Sequence, residues 1–368
     1  MSFVFGAPHR YHQGPGLLDG LGAILSGIGR VPLIVVDGMM LAVLGDRIAA
    51  GCAAAGLSPL IRPFSGEITY EAIDALLEGL GGQAVDCAVG VGGGKALDAA
   101  KAVALKRRLP VVTVPTIASN DSPTSAAIAM YDDAHTMIAV DRLHRSPEAV
   151  VVDTALIAAA PVRFLLAGIG DALSKKFEAD GCLAGSGITP FGTRPGLTGV
   201  AIADACYRTL RAHGAAGVAA ARRGAVTPDF EAVVEATLLM SGPGFENGGL
   251  SLAHSLTRGL VKMRGTRAAA HGDQIAWALL VQLCAEGRAD GFVLDQIGFH
   301  RSLGLAVRLA DLGLAEATDK ELDEIARWTM TAPHLRNLAV LLDAERIAAA
   351  IRRAEDLGAR GEEPAHVR

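Results

Sequence analysis

The sequence predicts an α/β protein with an all-α second half: a doubly wound parallel sheet first, then a helical domain. Two patterns carry that expectation. Through roughly the first 160 residues, short β-branched apolar runs alternate with helical segments, the rhythm of a parallel sheet with crossover helices. Beyond Val162 the strand signals fade, and the segments become long, Ala/Leu-rich and helical. The chain has 368 residues, 51% of them apolar and 20% charged. At about 100–200 residues per domain that suffices for two buried cores. The expected division is an N-terminal α/β domain over 1–161 and a C-terminal helical domain over 162–368.

Each element follows from local pattern. "VPLIVVD" (31–37) is a continuous apolar run, as expected of a strand buried on both faces. Met40–Ala55 is helical in composition, and "SPLIRPF" reads as a second strand. In "TYEAIDALLEGL" the apolar spacing is helical, with Thr69 as N-cap. "AVDCAVGV" is the next strand, leading through a glycine turn into a helix over Lys95–Leu105, and "PVVTVPT" is the strand after that. Two apolar runs flank Asp132 and Asp133 in "AAIAMYDDAHTMIAV", which predicts a hairpin. "EAVVVD" is the last strand signal. The stretch 185–196 ("GSGITPFGTRPG") reads as a loop, and the tail "GARGEEPAHVR" as a fraying end.

Composition narrows the function. A formal charge of -5 carries no basic excess, which argues against nucleic-acid or anionic-membrane partners. Aromatics make up 4% of the chain, too few for base-stacking platforms. No run reaches the 18 or so apolar residues of a membrane helix, and "MSFVFGAPHRYHQGPG" lacks the basic-then-apolar order of a signal peptide. The cysteines (52, 87, 182, 206 and 284) are odd in number and scattered, as expected of reduced thiols in a cytoplasmic protein.

"CAVGVGGGKALDAAKAVA" (87–104) places Gly90, Gly92, Gly93, Gly94 and Lys95 between a strand and a helix. The spacing is neither the G-x-G-x-x-G of dinucleotide folds nor a P-loop, since Ala96 stands where a magnesium-binding Ser/Thr belongs. It reads either as a tight turn with a solvated lysine or as a pyrophosphate cradle at a helix N-terminus. Asp37, ending the first predicted strand, is either an ordinary turn residue or a partner for the hydroxyls of an adenosine ribose, where it would repel a 2′-phosphate and favour NAD over NADP. "VPTIASNDSPTSAA" follows the next strand and holds Thr116, Ser119, Asn120, Asp121, Ser122, Thr124 and Ser125; it is either an ordinary turn or a second ligand loop.

Three polar residues stand in apolar helical contexts: Asp171 within "LLAGIGDALSKKFEA", His254 within "ENGGLSLAHSLTRGL", and His271, which opens the apolar helix of "AAAHGDQIAWALL". A buried carboxylate needs a partner or a metal, and one Asp with two His and an open position suits zinc or iron(II). The bland reading is three satisfied core residues. His9, His12, His144, His213 and His366 sit in polar contexts and read as surface residues.

Taken together, "GVGGGKALDAAKA", "VPTIASNDSPTSA", "VVVDTALIAAAPVRFLLAGIGDAL", "VTPDFEAVVEATLLMSGPGFENGGLSLAH" and "HGDQIA" resemble the glycerol dehydrogenases of the metal-dependent (iron-containing) alcohol dehydrogenase superfamily, which is related to dehydroquinate synthase. The likeness spans nearly the whole chain. It implies NAD as cofactor, with Gly92, Gly93, Gly94 and Lys95 at the pyrophosphate and Asp37 at the adenosine ribose. Thr116 and Ser119 would lie towards the adenine side, and Ser125, Ala127 and Tyr131 further along the cofactor, Ala127 replacing a larger apolar residue. Asp121 matches an aspartate beside nicotinamide and substrate; Asp171, His254 and His271 match three zinc ligands. The implied chemistry is oxidation of a polyol or vicinal diol, such as glycerol to dihydroxyacetone, by hydride transfer from an alkoxide on the metal to NAD. Phe245 would wall the substrate, and the family commonly forms homo-oligomers.

The chain departs from that pattern around the second and third ligands. "HSLTRG" carries Thr257 and Arg258 where another His and an Asn are usual, and "VKMRGTRAAAH" lacks the usual His and aromatics. Arg258, Arg264 and Arg267 gather there, and Lys175 lies one turn after Asp171. They are read either as a solvated or oligomer-contact face, or as a grip for an anionic substrate such as glycerol 1-phosphate or a phosphonate- or carboxylate-bearing aldehyde. A non-enzyme alternative is a catalytically silent nucleotide-binding protein.

Overall fold

The computed structural model describes residues 2–133 and 136–360. Six parallel strands form the main sheet: β1 (Arg10–Gly14), β2 (Pro32–Asp37), β3 (Leu60–Phe64), β4 (Cys87–Gly92), β5 (Val111–Pro115) and β8 (Ala149–Asp153), in the order β1-β8-β5-β4-β2-β3. The predicted hairpin is β6 (Ala127–Tyr131) paired antiparallel with β7 (Met137–Arg142). Helices α1 (Leu21–Ser26), α2 (Gly38–Ala54), α3 (Tyr70–Glu78), α4 (Gly94–Arg107) and α5 (Thr154–Ala159) accompany the sheet. The remaining helices are α6 (Val162–Ala184), α7 (Leu197–Ala221), α8 (Pro228–Glu235), α9 (Ser241–Gly248), α10 (Leu252–Leu260), α11 (His271–Ala285), α12 (Asp290–Leu303), α13 (Asp319–Thr329) and α14 (Ala344–Arg360). A π-helical turn, Ala236–Met240, joins α8 to α9.

By internal packing the chain forms two units. One comprises 6–164 with 220–242; the other comprises, among the described residues, 2–5, 165–219 and 243–360. In the sheet unit, β4 and β5 are buried along their whole length because helices cover both faces, which is why they read as continuous apolar runs. β4 and α4 approach closely: a Cβ on Gly90 would lie 2.9 Å from Leu97 Cα and 3.0 Å from Ala100 Cβ. That proximity explains both the glycine and the alanine-rich helix. After β2 the chain moves out to β3, then returns to β4 on the other side of β2. The reversal sets the carboxyl ends of β2 and β4, hence Asp37 and the glycine turn, at the switch point where open α/β sheets bind ligands.

The sequence reading omitted β1. Its residues, "RYHQG", are polar and only partly buried, yet they pair with β8 at the sheet edge. The loop at 185–196 is present as expected. α14 continues through Arg360, so the first residues of the expected fraying tail are helical; the rest of the tail and His366 lie outside the described residues. All five cysteines are buried and none forms a disulfide, and no helix among the described residues is long and apolar enough to cross a membrane.

The helical unit packs α10, α11, α13 and α14 together, and fully buried Trp277 on α11 donates its indole N–H to Glu355 on α14 at 2.7 Å. His300 on α12 is fully buried there. Burial pushes its pKa down to about 4, and its Nε2 makes no hydrogen bond among the described residues. The folded ring therefore stays neutral where the unfolded one binds a proton. Stability from this group is whole above pH 6.5 and is lost as pH falls through 4, with about 2 kcal/mol gone by pH 5. Urea unfolding at pH 7 and pH 5 should show that difference in the wild type and not in His300→Leu. Equal pH dependence in both would refute it.

Candidate metal and nucleotide sites

α6 carries Asp171, Lys175 and Glu178, spaced i, i+4 and i+7 and so aligned on one helix face. All three are at most 1% exposed. His254 lies in the first turn of α10, and His271 is the first residue of α11. Two glycines bring α6 and α11 into backbone contact. A Cβ on Gly170 would lie 2.4 Å from the Gly272 carbonyl oxygen, and one on Gly272 would lie 1.7 Å from that of Ala167. Only glycine at both positions lets His271 sit beside Asp171.

The result is a three-donor cluster. One atom each from Asp171, His254 and His271 falls within 4.8 Å of the others, with Asp171 Oδ1 at 3.2 Å from His254 Nε2 and 4.0 Å from His271 Nε2. Asp171 is buried; the His254 ring is 11% and the His271 ring 50% exposed, so the cluster opens on one side.

Glu178 supports it from behind. Its Oε1 accepts the backbone N–H groups of Ser251 (2.8 Å) and His254 (3.1 Å), two donors that the start of α10 cannot satisfy internally. Its Oε2 accepts His254 Nδ1 at 2.6 Å and Ser174 Oγ at 2.9 Å. One carboxylate thus caps a helix and sets the ring so that Nε2 faces Asp171. A carboxylate on the far nitrogen is the usual backing of a metal-ligating histidine, and it fits a divalent metal here. Burial raises the Glu178 pKa, but His254 and Lys175 outweigh it and hold it at about 2. For Asp171, burial is likewise opposed by Lys175, His254 and His271, leaving its carboxyl well below the usual range. Burial disfavours the His254 cation and Glu178 favours it, with a net rise in pKa. A metal takes only the neutral ring, so loading releases a proton.

Of the other predicted substrate residues, Phe245 on α9 is buried with its ring centroid 5.5 Å from Lys175 Nζ. Arg258 is exposed on α10, and Arg264 and Arg267 are exposed as well.

The nucleotide candidates lie in the sheet unit. Asp37 caps α2 by accepting the Met39 N–H at 2.9 Å. Gly92 has φ +149°, and a Cβ there would lie 2.7 Å from Asp37 Cβ. A Cβ on Gly93 would meet Ile117 at 2.9 Å, and one on Gly94 would meet Asn120 at 3.3 Å. The start of α4 is therefore bare backbone, a cradle that side chains would fill, and it fits a pyrophosphate. Lys95 pairs with Glu67 at 3.0 Å. Buried Thr116 donates its N–H to the Gly92 carbonyl at 3.0 Å, joining the two loops. Ser119 is half-buried in the second loop, where the Asp121 carbonyl accepts the N–H groups of Thr124 and Ser125. Ser241 Oγ donates to Asp121 Oδ2 at 3.2 Å. Tyr131 ends β6, its phenol pKa raised by burial.

Sequence reasoning missed the ties that hold these parts. Lys101, fully buried in α4, donates to Asp98 (2.9 Å), Ser122 (3.1 Å) and the carbonyl of Ala127 (2.9 Å), pinning the hydroxyl-rich loop and the hairpin to α4. The available signal was two charges i, i+3 within an otherwise alanine- and aliphatic-only stretch of that helix, 96–105. For Glu178 the signal was its place two turns after Asp171.

The pattern described as iron-containing alcohol dehydrogenase matches residues 8–154. The glycerol dehydrogenase of Thermotoga maritima is 38% identical over 87% of this chain and 87% of its own. The chain belongs to the iron-containing alcohol dehydrogenases. The glycolaldehyde reductase of Halobacterium salinarum is 36% identical over 89% of each chain. The crystal structure of glycerol dehydrogenase from Schizosaccharomyces pombe superposes with a TM-score of 0.93 at 30% identity, over 98% of this chain and 92% of that one. The protein is thus an enzyme, an NAD- and metal-dependent alcohol dehydrogenase resembling glycerol dehydrogenases, and the silent nucleotide-binding alternative is set aside.

Proposed function

We propose that the protein is a zinc-dependent dehydrogenase of glycerol or a related vicinal diol or hydroxycarbonyl compound, working in either direction with NAD. The observation that carries this is the Asp171–His254–His271 cluster with Glu178 behind His254. One carboxylate and two imidazoles with an open side suit zinc, and also iron(II). Relatives named for glycerol and glycolaldehyde favour a neutral polyol or hydroxyaldehyde over an anionic substrate.

When bound, the metal supplies Lewis acidity that lowers the pKa of a substrate hydroxyl, and NAD supplies the hydride acceptor. The chain's residues do the rest. Asp171, His254 and His271 hold the metal, and Glu178 keeps the His254 Nε2 lone pair directed at it. Phe245 walls the substrate and excludes water, with Arg258 assigned to the rim. In the sheet unit, Gly92, Gly93 and Gly94 with Lys95 take the pyrophosphate, and Asp37 the adenosine ribose. Thr116 and Ser119 flank the adenine, Ser125, Ala127 and Tyr131 run along the cofactor, and Asp121 is assigned to its nicotinamide end. Fixing both reactants supplies proximity.

The test is the initial rate of NAD reduction by the zinc-loaded enzyme with glycerol and with glycerol 1-phosphate at equal concentrations, and of NADH oxidation with glycolaldehyde. Turnover of the neutral substrates supports the reading, whereas preference for the phosphate overturns the neutral-substrate assignment. Gly94→Ala probes the nucleotide half. Its φ suits alanine and the new methyl is 3.3 Å from Asn120, so the fold should survive. The methyl intrudes on the pyrophosphate, and the Kd for NADH by fluorescence titration should rise about 10-fold, roughly 1.4 kcal/mol. An unchanged Kd would move the pyrophosphate elsewhere.

A further inference from the structure

Lys175 is a fully buried cation in a cluster that has a cation role of its own to fill. Its Nζ lies 2.7 Å from Asp171 Oδ1 and 3.2 Å from His254 Nε2, with the ring of Phe245 beyond. Those two atoms are the donors that two of the three metal ligands present. The neighbouring Lys176 differs: it reaches partly exposed Asp180 one turn further along α6 and Asp204 on α7.

We propose that Lys175 is the metal site's internal competitor, its ammonium and the metal ion exchanging for the same two donor atoms; this rests on the metal reading given above. The argument is one of charge and space. A zinc ion sits about 2.0–2.2 Å from each ligand oxygen or nitrogen. An ammonium within hydrogen-bond distance of both donors occupies that volume and carries like charge. Metal entry therefore requires Lys175 Nζ to leave Asp171 Oδ1 and His254 Nε2. The buried pair it leaves, Asp171 with Lys175, resists that departure, because an unpartnered buried charge is expensive. Glu178 takes no part in the exchange, since its oxygens are committed to Ser174, Ser251 and His254. Lys175 then does two things: it neutralises buried carboxylate charge in the metal-free chain, and it weakens the site for every divalent metal.

The experiment compares wild type, Lys175→Met and Lys176→Met after removal of metal by a chelator. Zinc affinity is measured by competition with a chromogenic chelator, and the melting temperature of each metal-free protein is recorded. The expected result is zinc binding about 10-fold or more tighter in Lys175→Met, with a lower metal-free melting temperature, and no change in Lys176→Met. Lower stability with zinc affinity unchanged would make Lys175 a structural charge partner only and overturn the exchange. Zinc binding by none of the three proteins would overturn the metal reading itself, and the exchange with it. Should Lys175→Met not fold, Lys175→Gln retains N–H donors, removes the charge, and is read by the same affinity measurement.

Discussion

Asp171→Asn is expected to leave the enzyme folded, without stoichiometric zinc, and slower by roughly 10³–10⁴-fold in kcat/KM, about 4–5 kcal/mol of transition-state stabilisation. The reasoning begins with the charge. Asp171 is the single anionic donor of the cluster and is 1% exposed, so no solvent carboxylate can replace it. Asparagine has the same shape and retains a carbonyl oxygen to accept from Lys175, so the helix packing at Gly170 and Gly272 stays intact. What is lost is the anion. Lys175 then keeps its charge beside two imidazoles with only Glu178 to balance it, and a divalent cation entering the site meets net repulsion. Bound zinc by elemental analysis, initial rates and circular dichroism check the three parts separately. A folded variant with full zinc content and wild-type rates would remove Asp171 from the metal site.

The fate of Asp171 also shows which parts of the site the sequence made legible. Asp171 and His254 stand out because each interrupts an apolar helical run, and His271 because it opens one. Their meeting depends on Gly170 and Gly272 letting two helix backbones touch, a contact between residues some 100 positions apart that no local period encodes. The sheet was easier. Strands buried on both faces announce themselves as unbroken apolar runs, and β2, β4, β5 and β8 did. β1 did not, since an edge strand with half-buried polar side chains has no such run. The buried charges were the least legible. Asp98, Lys101 and Glu178 have the spacing of ordinary solvated helix residues, and only the neighbouring elements decide that they face inward. Arg258, Arg264 and Arg267, close together in the chain, read either as a solvated face or as a grip for an anion, and all three are exposed.

Glu178→Gln should lower zinc affinity about 10–100-fold while also costing roughly 3 kcal/mol of stability. The two effects have one source. Glu178 accepts four hydrogen bonds, two from backbone N–H groups at the start of α10, one from Ser174 and one from His254 Nδ1. A glutamine can accept at only one end. With its oxygen capping α10, its NH₂ faces His254 Nδ1–H and the Ser174 hydroxyl, so donors oppose donors in a site without water access. The ring answers by flipping or by moving the proton to Nε2, and either change removes the lone pair the metal requires. The stability loss follows from linkage. A carboxyl at about 2 in the fold, against an ordinary 4.5, contributes stability that is present above pH 4.5 and lost as pH falls through 2. The variant lacks that contribution at pH 7, and its unfolding free energy should vary less between pH 4.5 and pH 2 than that of the wild type. Because the group never reaches the metal, kcat at saturating zinc should recover far more than in Asp171→Asn. Zinc titration of kcat, set beside urea unfolding, separates the positioning role from the structural one: a melting loss with wild-type zinc affinity would reduce Glu178 to a helix cap.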